Sequence, residues 1–227
     1  MDFEVALAWL PRLARAAALT IGLAAAIFLI SGAVAMAVAL AGYGRKASRS
    51  LYAFESFSAF FRAIPELVVL FLFYFGGPQV GIDFGPVGST LIAFSLVGMA
   101  YDYQVFKGAL KAIPLGQMEA GRALGLSTLQ IYRAIVIPQM LPLAKRGWIT
   151  YAIATVKRIS IAAAVSVSEI LYVTKQAIAA TNAPFGFLAL AVGLYILIVS
   201  PLLIWNEVAI GRSAGRSAGR PNGGRPA

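Results

Sequence analysis

Long apolar stretches separated by short polar ones dominate the chain. The first covers 19–42 and stops at Arg45, Lys46 and Arg49. At 1.5 Å per residue, two dozen helical residues reach roughly 36 Å, enough to cross a bilayer with some tilt. The second, 57–75, is interrupted by Arg62, Pro65 and Glu66 and closed by Gly76, Gly77 and Pro78. A third covers 87–106, and a polar stretch, 108–142, follows it. The fourth, 147–173, carries Lys157 and Arg158, and the fifth is 185–210. This pattern predicts an all-α membrane bundle of five transmembrane helices over residues 1–210. Residues 211–227 repeat Gly, Ser and Arg, cannot bury a core, and are expected to form a disordered basic tail.

Composition agrees: 60% of residues are hydrophobic and 12% charged, against about 45–50% and about 25% in a soluble domain. The chain has neither Cys nor His, which removes disulfides, thiolate chemistry, histidine bases and His/Cys metal sites. Nine scattered carboxylates make a hard-cation cage unlooked for. No catalytic residue, metal or cofactor is therefore expected on this chain.

The net charge of +10 would suit nucleic acid, but its placement argues against that partner. Lys and Arg gather at 45–49, between 107 and 146, and from Arg212 onward. Arg12, Arg15 and Lys175 are the mild exceptions. Basic loops face the cytoplasm, so the N-terminus is expected outside and the C-terminus in the cytoplasm, an odd number of crossings.

Within 108–142, Ala120, Ala123 and Leu124 fall on one helical stripe, with Glu119 and Arg122 on a more polar side. Gly125 is placed to end that helix in a left-handed cap. Ser127 and Gln130 form a capping-box pattern opening a second short helix, which Pro138 should end or kink. Two short helices exposed at the cytoplasmic face are expected, the first with small residues suited to a groove on another protein.

These residues resemble the cytoplasmic signature of ABC importer permeases, in the branch for polar amino acids and opines. That signature reads here as Glu119-Ala120-Gly121, Gly125, Ile137-Pro138 and Leu141-Pro142. Phe61-Arg62 through Pro65-Glu66, Phe71 through Gly76, Ala100-Tyr101 and Val167 through Leu171 also resemble family segments, in register over roughly 15–207. The resemblance implies the type I importer permease fold and location in a bacterial inner membrane. It implies a coupling loop, 108–142, whose Glu119, Ala120, Gly121, Arg122, Ala123 and Gly125 dock on a cytoplasmic ATPase subunit that binds the ATP. It further implies a second permease subunit, identical or paralogous, and an extracytoplasmic substrate-binding protein. The substrate would be an amino acid or a derivative such as an opine.

Ionisable groups at membrane depth are costly and usually face an interior or cavity. Glu66, Asp102, Gln104, Lys157, Arg158 and Ser160 are the substrate-pathway candidates. Arg62 and Glu66, four apart, also read as a helix-end ion pair near the interface. Asp102 reads either as a pore-facing carboxylate or as an interfacial residue beside Tyr101 and Tyr103. Lys157 and Arg158 are about 100° apart on a helix, so both cannot enter one narrow site. One of them would pair with Asp102 or Glu66. Lys157-Arg158 stands where the family often has Lys-Asp, and Thr150-Tyr151 where it has Asn-Glu; both departures bear on specificity. The competing reading is an ATP-independent carrier or channel for small amine-bearing solutes, which should show inverted repeats or a carboxylate relay. No such repeat is evident.

Overall fold

The structure is a computed structural model that describes residues 3–44 and 49–218, all eight of its principal elements being helical. They are α1 (Phe3–Gly42), α2 (Arg49–Ala63), α3 (Glu66–Gln79), α4 (Gly85–Lys111), α5 (Gly116–Ala123), α6 (Thr128–Val165), α7 (Ile170–Thr181) and α8 (Pro184–Ala218). Among the described residues, three helical segments are long and apolar enough to cross a membrane: Glu4–Gly42, Thr128–Val165 and Pro184–Glu207. The pair α2–α3 would make a fourth crossing, although its two arms meet at 104°. Helix α4 misses that apolarity because Ser89, Thr90, Ser95 and Asp102 lie along it. All four are buried in the bundle, where α4 packs most extensively on α1.

Three apolar clusters stack along α1. Leu13 and Ala16 meet Ile170 and Ala191 at one end; Leu23 and Ile27 meet Leu70, Phe94 and Ile153 in the middle. Ala35 and Ala39 meet Phe106, Ile131 and Met140 at the other end. Burial of such side chains contributes about 1.5–3 kcal/mol each in water; in lipid, close packing supplies the equivalent.

Four sequence expectations change. The apolar block 57–75 is two helices: Pro65 is extended (ψ 131°), and its carbonyl accepts from Val68 and Val69 to start a new helix. The second short helix expected in 108–142 is the opening of the 38-residue α6. Pro138 does not stop it, because a wide π-turn at Tyr132–Val136 precedes the proline and absorbs its missing donor. A π-turn, Leu72–Gly76, also precedes Pro78, where α3 closes at Gln79 as Gly76, Gly77 and Pro78 led one to expect. The block 147–173 breaks after Val165, where Ser166 adopts φ +63° and Glu169 caps α7. Helix α8 continues through 211–218, which were expected in the tail. Once α8 is under way, each Ala, Arg or Ser adds at modest propensity cost, and Gly211 and Gly215 at about 1 kcal/mol each. The rest of the tail, 219–227, and Arg45 and Lys46 lie outside the described residues.

Candidate functional site: an exposed capped helix and a buried ion cluster

Helix α5 is held by its inner face. Met118 and Gly121 are buried, whereas Glu119, Ala120, Arg122, Ala123 and Gly125 are exposed. A Cβ on Gly121 would stand 2.8 Å from Ile131 Cγ1, so glycine sets how closely α5 lies on α6. The helix ends in a Schellman turn: Leu126 N–H donates to Gly121 O (3.1 Å) and Gly125 N–H to Arg122 O (2.9 Å), with Gly125 at φ +74°. Both halves of the Ser127–Gln130 capping box are formed. Tyr132 Oη donates to Leu40 O (2.9 Å) and Tyr43 Oη to Ile113 O (3.0 Å), tying the segment to the end of α1. Outward, Leu124 is 79% exposed and Leu129 68% exposed, so apolar side chains border the small-residue stripe.

Substituting Ser127→Ala removes the acceptor for Gln130 N–H and should weaken the start of α6 by about 1 kcal/mol. Hydrogen exchange at residues 128–131 checks this, with faster exchange confined to that turn as the expected result.

The second group lies between α3, α4 and α6. Arg158 Nε is 2.5 Å from Glu66 Oε2, and its guanidinium also donates to the Tyr151 hydroxyl while covering that ring at 4.7 Å. Tyr151 stacks on Tyr101, centroids 5.5 Å apart. Asp102 is fully buried and accepts from Ser31 Oγ at 2.6 Å, while its Oδ1 has no hydrogen-bond partner. Ser31 reaches it because Gly98 lets α1 approach α4; a Cβ there would meet Ser31 Cβ at 2.7 Å.

The candidates thus divide. Glu66 and Arg158 are paired, and Asp102 is an interior residue of the bundle. Gln104 donates to Ser58 Oγ (2.9 Å). Lys157 points outward, and Ser160 Oγ returns to Lys157 O (2.8 Å). The expected Arg62–Glu66 pair does not form: the bend at Pro65 separates them, and Arg62 Nε donates to Ser58 O (3.2 Å).

Two features escaped the sequence reading. Glu169 is fully buried and accepts from Leu171 N–H (2.9 Å), Tyr172 N–H (2.7 Å) and Tyr195 Oη (3.0 Å). The Ser166–Glu169 polar interval before Ile170-Leu171 was its available signal. Glu55 pairs with Lys107 and accepts from Tyr103 Oη (2.7 Å) beside a cavity of about 430 Å³. Among the described residues no three acidic side chains gather as a metal-holding group.

A family profile, "Binding-protein-dependent transport system inner membrane component", matches residues 30–210. The arginine ABC transporter permease protein ArtQ of Escherichia coli (strain K12) is 30% identical over 210 residues, 82% of this chain and 88% of its own. The octopine transport system permease protein OccQ of Rhizobium meliloti is 30% identical over 202 residues, 84% of this chain and 85% of its own. A probable amino-acid ABC transporter permease of Bacillus subtilis (strain 168), YckA, is 39% identical over 113 residues, and that match spans half the length of each protein. In three dimensions, a crystal structure of an amino acid ABC transporter with histidines superposes with TM-score 0.80 at 20% identity, covering 93% of this chain and 99% of the other. That likeness establishes the fold.

Proposed function

The chain belongs to the family of binding-protein-dependent transport system inner membrane components, and from that premise we propose that it forms the translocation pathway of an ATP-driven importer for amino acids or derivatives such as opines. It is a multi-pass inner-membrane permease component, and its partners are an ATPase subunit and a substrate-binding protein. The finer reading is that α5 inserts Ala120, Ala123 and Leu124 into the ATPase on the cytoplasmic side, with Glu119 and Arg122 setting its orientation. A second permease subunit, identical or paralogous, completes the pathway. Glu66, Asp102 and Arg158 gate it. The observation that supports this best is the capped, exposed α5, held on the bundle by Met118 and Gly121 alone of its own residues. The relatives lend no support to an ATP-independent carrier.

The chain contains no cysteine, so a single Leu124→Cys variant reports the sidedness of this segment. An impermeant maleimide should leave it unmodified in whole cells and modify it in inverted vesicles. Bound ATPase subunit should protect it there. Labelling in whole cells would overturn the coupling assignment.

A further inference from the structure

A furrow opens between α1, α6 and α8, away from both sites described above. Its walls run from Ala17 to Phe28 on α1, Ile149 to Val156 on α6 and Leu194 to Trp205 on α8, enclosing about 630 Å³. The side chains along these walls are apolar, apart from the Trp205 indole at one end. That end joins a second hollow of about 490 Å³, the two sharing Phe28, Ile149 and Trp205. Here the lining changes: Lys145 enters, its ammonium 4.9 Å from the Trp205 ring centroid. Among the described residues Lys145 forms no ion pair with a carboxylate.

Depth fixes what such a furrow meets. From Ala17 to Phe28 is eleven helical rises, about 16 Å, close to half of the roughly 30 Å hydrocarbon thickness. Trp9, packed edge-on against Phe187, lies nineteen rises or about 28 Å from Phe28 on the same helix. Trp9 and Trp205 therefore mark the two interfaces, where tryptophan concentrates. The furrow occupies the half-bilayer that ends at Lys145.

We propose that this furrow binds one anionic phospholipid of the leaflet bordering Lys145, its phosphate on Lys145 and an acyl chain along the α1–α6–α8 wall. The polarity sequence fits that occupant and no other part of the membrane: a cation, then an indole at headgroup level, then about 16 Å of unbroken apolar wall. A second permease copy would bury the same apolar wall but has no need of an unpaired ammonium at one end. The proposal rests on the membrane-spanning reading of α1, α6 and α8 given above.

The test is photo-crosslinking of the intact transporter in vesicles containing phosphatidylglycerol or phosphatidylcholine with a photoreactive acyl chain, at equal mole fraction. Peptide mass spectrometry locates the adducts. Adducts at 17–28 and 194–205 should form with phosphatidylglycerol at about five times the phosphatidylcholine yield, as one basic residue near the headgroups would give. Lys145→Gln should bring phosphatidylglycerol down to the phosphatidylcholine yield. Ala152→Phe, which fills the wall, should lower both. Equal yields in the unaltered protein would overturn the proposal, leaving ordinary annular lipid. A furrow without adducts, with Leu197→Cys forming a disulfide-linked permease dimer, would assign it to a second copy. Absence of adducts on every helix would overturn the membrane-spanning reading as well.

Discussion

Replacing Gly121 by leucine is expected to abolish uptake while the bundle stays folded. A Cβ at this position already stands 2.8 Å from Ile131 Cγ1 and 3.3 Å from Ile135 Cδ1. A whole isobutyl group cannot be seated without moving α5 outward, since Ile131 is fully buried. Overpacking typically costs about 1–3 kcal/mol, and an eight-residue helix held by two buried residues yields before the bundle does. The exposed stripe of Ala120, Ala123 and Leu124 would then be presented at the wrong height and angle. Uptake into proteoliposomes should fall by at least about tenfold, the equivalent of about 1.4 kcal/mol, with little change in thermal unfolding. Glu119→Arg makes a companion test, because it inverts charge on the outward face without touching the packing. It should remove the ATPase subunit from the purified complex. Full uptake by Gly121→Leu would mean that the position of α5 does not matter to transport.

Arg158→Met should be the most destabilising single change at membrane depth. It leaves the Glu66 carboxylate without the guanidinium 2.5 Å away, and Tyr151 without its donor. Breaking a buried pair from one side costs about 3–5 kcal/mol; here the lower end, about 3 kcal/mol, is appropriate because the Glu66 side chain keeps 22% exposure. Glu66→Leu should be destabilising for the mirror reason. The double variant should recover much of the loss, since removing both charges removes the desolvation cost as well. Thermal unfolding of the four proteins in one detergent reads the coupling directly. Strictly additive losses would show that the two side chains do not support one another. Uptake supplies the second half of the test: a refolded double variant that remains inactive places the pair in transport as well as in stability.

What could be read from the sequence was local. Gly125 and the Ser127–Gln130 box depend on three or four neighbouring residues, and both adopt the geometry their spacing dictates. Apolar blocks marked where helices lie, because burial in lipid or protein needs only residue type. The misses came from contacts between distant segments. Glu66 does pair with Arg158, 92 positions on, one of the pairings expected of Lys157 and Arg158, whereas its i, i+4 neighbour Arg62, the other partner expected, bonds Ser58 instead. A proline reads as a stop unless the preceding turn widens, and the π-turn before Pro138 has no sequence signature of its own. Glu169 was hidden inside an apolar block, although its carboxylate is what allows α7 to begin in the interior. Residue type put Lys157 among the pathway candidates on the same footing as Glu66, Asp102, Gln104, Arg158 and Ser160, and only packing separates inward Arg158 from outward Lys157.

The unbroken course of α6 ties two distant places onto one continuous helix. Arg158 sits thirty rises beyond Thr128, about 45 Å along the axis. A rocking of roughly 5° about the Thr128 end would sweep that guanidinium through roughly 4 Å, farther than a hydrogen bond can stretch. Whatever tilts the rod from below must therefore either drag α3 along with it or tear Glu66 loose.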